Sequence, residues 1–157
     1  MSSKPQLVVR PKNARPNTKR TGEFSEAAFL LKAVSLGLRV TKPWGDSERY
    51  DFVVHNGQQF LRVQIKGTRT LRAGAYETRA TYTVGKGRAV YSSNDIDFLV
   101  AHIIPLNIFY VLPVDACRPS PMLRFYPHRH ARHMRLEKYR EAWHLLDVPH
   151  NLKKLSS

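Results

Sequence analysis

The chain has 157 residues, room for one domain and not comfortably for two, and its 42% hydrophobic content is enough for a core. A formal charge of +14 concentrates polyanions and releases counterions where it neutralises phosphates, so nucleic acid leads the partners, ahead of membrane surfaces and acidic proteins. The single cysteine, Cys117, excludes an intramolecular disulfide framework and suits a reducing cytosol.

Residues 1–21 hold Lys4, Arg10, Lys12, Arg15, Lys19 and Arg20 with three prolines and no acid. They are expected to form a flexible basic arm that either wraps DNA or stays solvated. They contain no apolar stretch of signal-peptide length, so a cytoplasmic location is expected. From Gly22 to Leu38 the residues Phe24, Ala27, Ala28, Leu31, Val34 and Leu38 follow the helical period. This predicts an amphipathic helix with that stripe toward the core, Glu26 beside it and Gly37 at its end. Val40 to Asp46 reads as a short extended piece entering a turn, with Trp44 assigned to the core ahead of a DNA contact.

Tyr50–His55 and Gln58–Lys66 are two strand-like runs around Asn56-Gly57, the dipeptide suited to a two-residue hairpin turn. That register pairs His55 with Gln58 and sets Asp51 opposite Arg62, with Gln64 diagonal to Asp51. Because side chains alternate, Asp51, Arg62, Gln64 and Lys66 share one face, and Phe52, Val54, Leu61, Val63 and Ile65 the other. An acid, an amide and a lysine on one face are reasonable neighbours for a hard divalent cation; the competing reading is an ordinary solvated face.

Gly67 to Gly87 is rich in Thr, Tyr, Arg and Gly, with Thr78–Val84 alternating as a strand and Gly85-Lys86-Gly87 as a loop. Its cations Arg69, Arg72, Arg79 and Lys86, with Arg88 just beyond, are candidates for phosphate contacts, as is Arg62. Asp95 and Asp97 could hold a metal as a pair, although Asp95 is better read as a turn residue. Phe98 to Val114, interrupted by His102, Pro105, Asn107 and Pro113, reads as two buried strands around a turn and not as a membrane span. Residues 118–157 form a basic extension packed on or extending the core, with a helix expected over 134–146 on the apolar stripe of Leu136, Tyr139, Trp143 and Leu146. Arg129, Arg132 and Arg135 join the DNA-contact candidates. The spacing of His128, His130 and His133 does not match a structural zinc site, and a basic surface against phosphates is the preferred reading.

Gly22 to about Thr68, with the helix glutamate Glu26, the hairpin aspartate Asp51 and Gln64-Ile65-Lys66 on the next strand, resembles the PD-(D/E)XK nuclease superfamily. More narrowly it resembles the homing-endonuclease branch associated with group I introns, which tolerates Gln where most relatives have Glu. The resemblance implies an α/β fold with a restriction-endonuclease-like core over residues 22–117, a mixed sheet with flanking helices in a single domain. It also implies a DNA endonuclease using Mg²⁺, with Mn²⁺ as substitute, held by Asp51, the Ile65 carbonyl and Glu26, while Lys66 and Gln64 complete the catalytic set. Cutting both strands needs two sites, so a homodimer or homotetramer is expected. Two alternatives stand beside it: a nucleic-acid-binding module on a nuclease scaffold, and a Holliday junction resolvase-like enzyme for branched DNA.

Overall fold

The computed structural model describes residues 17–129 and 134–147. Asn17 opens the first element: its side chain accepts from Arg20 N at 3.2 Å and caps α1 (Thr18–Ser35). The helix thus begins before Gly22, and residues 18–21, assigned to the arm from sequence, are helical.

Strands β1 (Arg39–Thr41), β2 (Phe52–His55) and β3 (Phe60–Thr68) follow, then β4 (Leu71–Arg72), β5 (Ala75–Arg79), β6 (Thr81–Val84) and β7 (Gly87–Val90). The chain returns through β8 (Phe98–Ile103) and β9 (Ile108–Pro113) and ends its strands at β10 (Met122–Phe125). The main sheet runs β1-β2-β3-β8-β9 and is mixed, because β3 and β8 are parallel while the other pairs are antiparallel. A parallel central strand is covered on both faces and so reads as a continuous apolar run, which explains Phe98–Ile103. One face packs under α1 around Phe29, Phe52, Val63, Val100 and Trp143, and the other under a small sheet, β10-β5-β4, around Tyr76, Leu99, Tyr110 and Phe125. Among the described residues no helix is long and apolar enough to cross a membrane.

Four local expectations are corrected. The buried side of α1 is Ser25, Phe29 and Ala33, whereas Phe24 (50% exposed), Leu31 (75%) and Val34 (57%) point outward. Apolar residues occur all around this helix, so periodicity alone does not choose the inward face; the Phe29 ring does, stacking on Phe52 and Trp143 at 5.4 and 5.7 Å. The hairpin register is offset by two residues: Phe52 pairs with Val63 and His55 with Phe60, because Asn56 Oδ1 accepts from Gln58 N and Gln59 N and widens the loop. An even offset preserves the faces. Trp44 is fully exposed, at a surface turn where Gly45 takes φ +81°. Finally, 134–146 is not an α-helix but two 3₁₀ turns, Glu137–Tyr139 and Trp143–Leu146. Glu141 sits between them at φ +49° and ties the tail to the edge strand β9: its N–H donates to Phe109 O (2.7 Å), and its carboxylate accepts from Phe109 N and Trp143 Nε1, both at 2.7 Å. That stitching covers an otherwise open sheet edge. Leu136, Trp143 and Leu146 still point inward.

α1 comes close to β3 at Gly67, where a Cβ would clash with Ser25 Oγ and lie 3.2 Å from Ile104 Cδ1. Ser25 is buried, and its hydroxyl lies 3.2 Å from Nδ1 of the buried His102. The other ring nitrogen, Nε2, meets Asn107 Oδ1 at 3.2 Å and must donate to it, so Nδ1 accepts from Ser25 in a neutral imidazole. Burial lowers the His102 pKa in the same sense. We expect Gly67→Ala to destabilise the fold by about 1–3 kcal/mol in a urea titration through overpacking. Adding Ser25→Ala should return part of that loss, and identical midpoints for the single and double variants would contradict the close contact.

Candidate active site

Asp51 precedes β2, and its backbone N–H donates to Val63 O at 2.9 Å, which extends the β2–β3 ladder and fixes the side chain over β3. Its Oδ2 accepts from Ile65 N and from Gln64 Nε2, both at 2.7 Å. The same Gln64 nitrogen donates to Ile65 O at 3.2 Å. Two hard oxygens, one carboxylate and one carbonyl, therefore converge on a single donor. Lys66 follows two residues on, on the same side of β3, its ammonium 5.5 Å from the centre of the buried Tyr91 ring.

Burial raises the Asp51 carboxyl above its ordinary value, and Glu26 pushes it the same way. The Ile65 N–H, Lys66 and Gln64 pull it back. Burial likewise lowers the Lys66 ammonium; Asp51 opposes that and Arg88 adds to it. The pair is poorly solvated, so each charge acts strongly on what enters beside it. Glu26 and Asp51 face one cleft of about 490 Å³, also lined by Glu23, Lys42 and Tyr50. Glu26 is held by Lys42 Nζ at 2.7 Å.

These donors fit a divalent cation that keeps much of its own water. Asp51 Oδ2 and Ile65 O already face one point, and Glu26 opens onto the same cleft, while among the described residues no cluster of three His, Cys, Asp or Glu forms a closed cage. Lys42 and Tyr91 were missed from sequence. Nothing local marks them, because both reach the site only through the sheet.

The basic candidates divide by task. Arg62 is occupied inside the protein: its guanidinium donates to both oxygens of Asp97 at 2.9 and 3.1 Å and to the carbonyls of Ser93 and Asn94 at 2.7 Å. Arg135 donates to Arg118 O at 2.7 Å and to Ala116 O. Arg69 lies 5.4 Å from the Phe24 ring and Arg129 5.6 Å from that of Tyr126. Arg72 and Arg79 line a small pocket with Thr68 and Glu77, and Lys86 and Arg88 stand exposed on the β6–β7 hairpin. Arg132, His130 and His133 lie outside the described residues, while His128 packs near Tyr76. Asp95 is a turn residue, accepting from Ser92 N and Oγ at 3.0 and 2.9 Å. Cys117 is a buried free thiol whose pKa burial pushes up to about 11.

For Asp97, burial alone would raise the pKa, but the Arg62 side chain and backbone N–H outweigh it and hold the carboxyl below its ordinary value. A depressed carboxyl stabilises the fold above its unfolded pKa, about 3.9, and loses that contribution as pH falls through the folded value. Asp97→Asn is therefore expected to cost about 1–2 kcal/mol at pH 7 after solvent screening. Thermal unfolding followed downward from pH 5 should show the gap to wild type narrowing; a constant gap would count against the ion pair.

A family model described as PD-(D/E)XK endonuclease matches residues 16–146. Among solved structures, a bacterial homing endonuclease, I-Ssp6803I, is 34% identical and superposes with a TM-score of 0.73 over 83% of this chain and 93% of that one. No curated protein matches the chain.

Proposed function

Because the chain belongs to the PD-(D/E)XK endonuclease family, in its homing-endonuclease type, we propose that it is a Mg²⁺-dependent DNA endonuclease hydrolysing phosphodiester bonds. The observation that carries this is the convergence of Asp51 Oδ2 and Ile65 O, with Lys66 next along the same side of β3. Asp51, the Ile65 carbonyl and Glu26 would hold Mg²⁺, or Mn²⁺ in its place. When bound, the cation polarises the phosphoryl oxygen. Lys66 stabilises the negative charge that gathers on the phosphate and orients the attacking water. Gln64 lacks a basic group at neutral pH; by rotating its amide it presents Oε1 in place of Nε2 to the site.

Gln64-Ile65-Lys66 is the form of the motif on which we assign the chain to the group I intron-associated branch. Cleaving both strands needs two sites, and we propose a homodimer or homotetramer joined through the outward apolar face of α1. That face borders a groove of about 720 Å³ with Lys32 and Glu141 among its lining residues, so a two-fold contact can set a base against an acid. The net charge of +14 supports DNA as the partner.

The test is plasmid nicking and linearisation in Mg²⁺ or Mn²⁺, with metal uptake followed by calorimetry. Asp51→Asn is expected to lose both cleavage and metal uptake. Equal metal uptake by the two proteins would move the site elsewhere, and DNA binding without cleavage across a library of targets would favour a binding module. Comparing a plain duplex with a four-way junction of matched sequence separates a homing-type enzyme from a junction resolvase.

A further inference from the structure

Among the described residues the β6–β7 hairpin stands apart from both larger sheets, its two strands pairing only with each other. Its base is fixed. Tyr91 N donates to Ala80 O at 3.1 Å, Ala80 and Tyr91 are buried, and the Tyr82 ring contacts both the Tyr91 ring (5.0 Å) and the Arg49 guanidinium (3.9 Å). Beyond that base, every residue from Thr83 to Arg88 is exposed.

We propose that this ribbon is the base-reading element of the protein, entering the major groove of the duplex beside the scissile phosphate. The inference rests on the nuclease reading for the word scissile. Three observations carry it. A two-stranded ribbon is of the width that the major groove, about 12 Å across, admits. The ribbon stands beside the catalytic strand: the ring of Tyr91, at its foot, lies 5.5 Å from the Lys66 ammonium. Its side chains are also of the kinds that read bases.

The register sets Thr81 opposite Val90 and Thr83 opposite Arg88, and alternation puts these four on one side, while Tyr82 anchors the other. An arginine that can span guanine O6 and N7, hydroxyls that can donate or accept, and an exposed valine methyl for thymine make up a reading face. A surface that merely grips phosphates needs cations alone. No acid occurs from Thr78 to Asn94, so nothing on the ribbon repels the duplex.

The experiment is a binding selection from duplexes with a randomised centre, in EDTA so that nothing is cut, using the full chain, Thr83→Ala and Arg88→Ala. The wild type is expected to enrich a motif. Arg88→Ala should lose about tenfold discrimination at one base pair, and Thr83→Ala should relax a neighbouring position. The proposal is overturned if the variants keep the wild-type motif, if they weaken all sequences equally as phosphate contacts would, or if the wild type enriches no motif. Plasmid cleavage by the wild type is scored separately. A motif lost with Arg88 in a protein that never cuts would sink the nuclease reading and leave the ribbon's role standing.

Discussion

Lys66→Ala is expected to slow plasmid cleavage on the order of 100- to 1,000-fold while the protein still folds and still retards DNA on a gel. The half-buried ammonium stands beside Asp51 and over Tyr91, in surroundings that lower its pKa, so it has little water to screen it when a phosphate arrives. Removal acts twice. It deletes a charge that strengthens as the phosphate gains negative charge, and it frees Asp51 from a neighbour that lowers its pKa. The second effect has a definite sign: with Lys66 gone, the Asp51 carboxyl moves further up, so the residual activity of the variant should fade at a higher pH than that of wild type as pH is lowered. A rate profile from pH 5 to 9 reads both effects. Wild-type rates with an unshifted profile would remove Lys66 from the mechanism.

The largest effect on stability is expected from Phe29→Ala, at about 3–5 kcal/mol in a urea titration. Phe29 is fully buried and its ring bridges Phe52 of the hairpin and Trp143 of the tail, so its loss opens a cavity where three segments meet. Leu31, two residues on, is the contrasting position: 75% exposed, its truncation should change the stability of the isolated chain by no more than about 0.5 kcal/mol. Leu31→Asp should instead lower the assembled mass in light scattering, because it sets a carboxylate in the apolar face proposed to join the subunits. A loss for Leu31→Ala as large as that for Phe29→Ala would mean that the helix is turned with Phe24, Leu31 and Val34 inward.

How legible the fold was differs from segment to segment, and the reasons are physical. The hairpin faces were readable because strand alternation has a period of two, and a loop lengthened by two residues left Asp51, Gln64 and Lys66 on one side. The β8–β9 pair was readable because a doubly covered strand is apolar throughout. The inward side of α1 was not, since Phe24, Leu31 and Val34 have the same chemistry as the residues that are buried. The tail failed for a different reason: Leu136, Trp143 and Leu146 keep helical spacing and do point inward, but Glu141 gives its backbone and carboxylate to β9, and no local pattern announces such a distant partner. Within the site, Asp51, Gln64 and Lys66 were legible together because they sit on one hairpin. Lys42 and Tyr91 were not, and the commitment of Arg62 to Asp97 could not be read from a motif.

The parallel pairing of β3 with β8 also governs the order in which the chain can assemble. The β2–β3 hairpin is local and can close on a microsecond scale. β8 can join only after the long excursion through β4–β7 has been brought round, a span indicated by the separation of 35 positions between Arg62 and its partner Asp97. Loop closure of that length must precede the contacts that reward it, so this step limits the folding rate. Nascent chains would therefore hold Asp51, Gln64 and Lys66 near their final geometry before β8 arrives, and Arg62 is the latch that fastens the excursion once it is home.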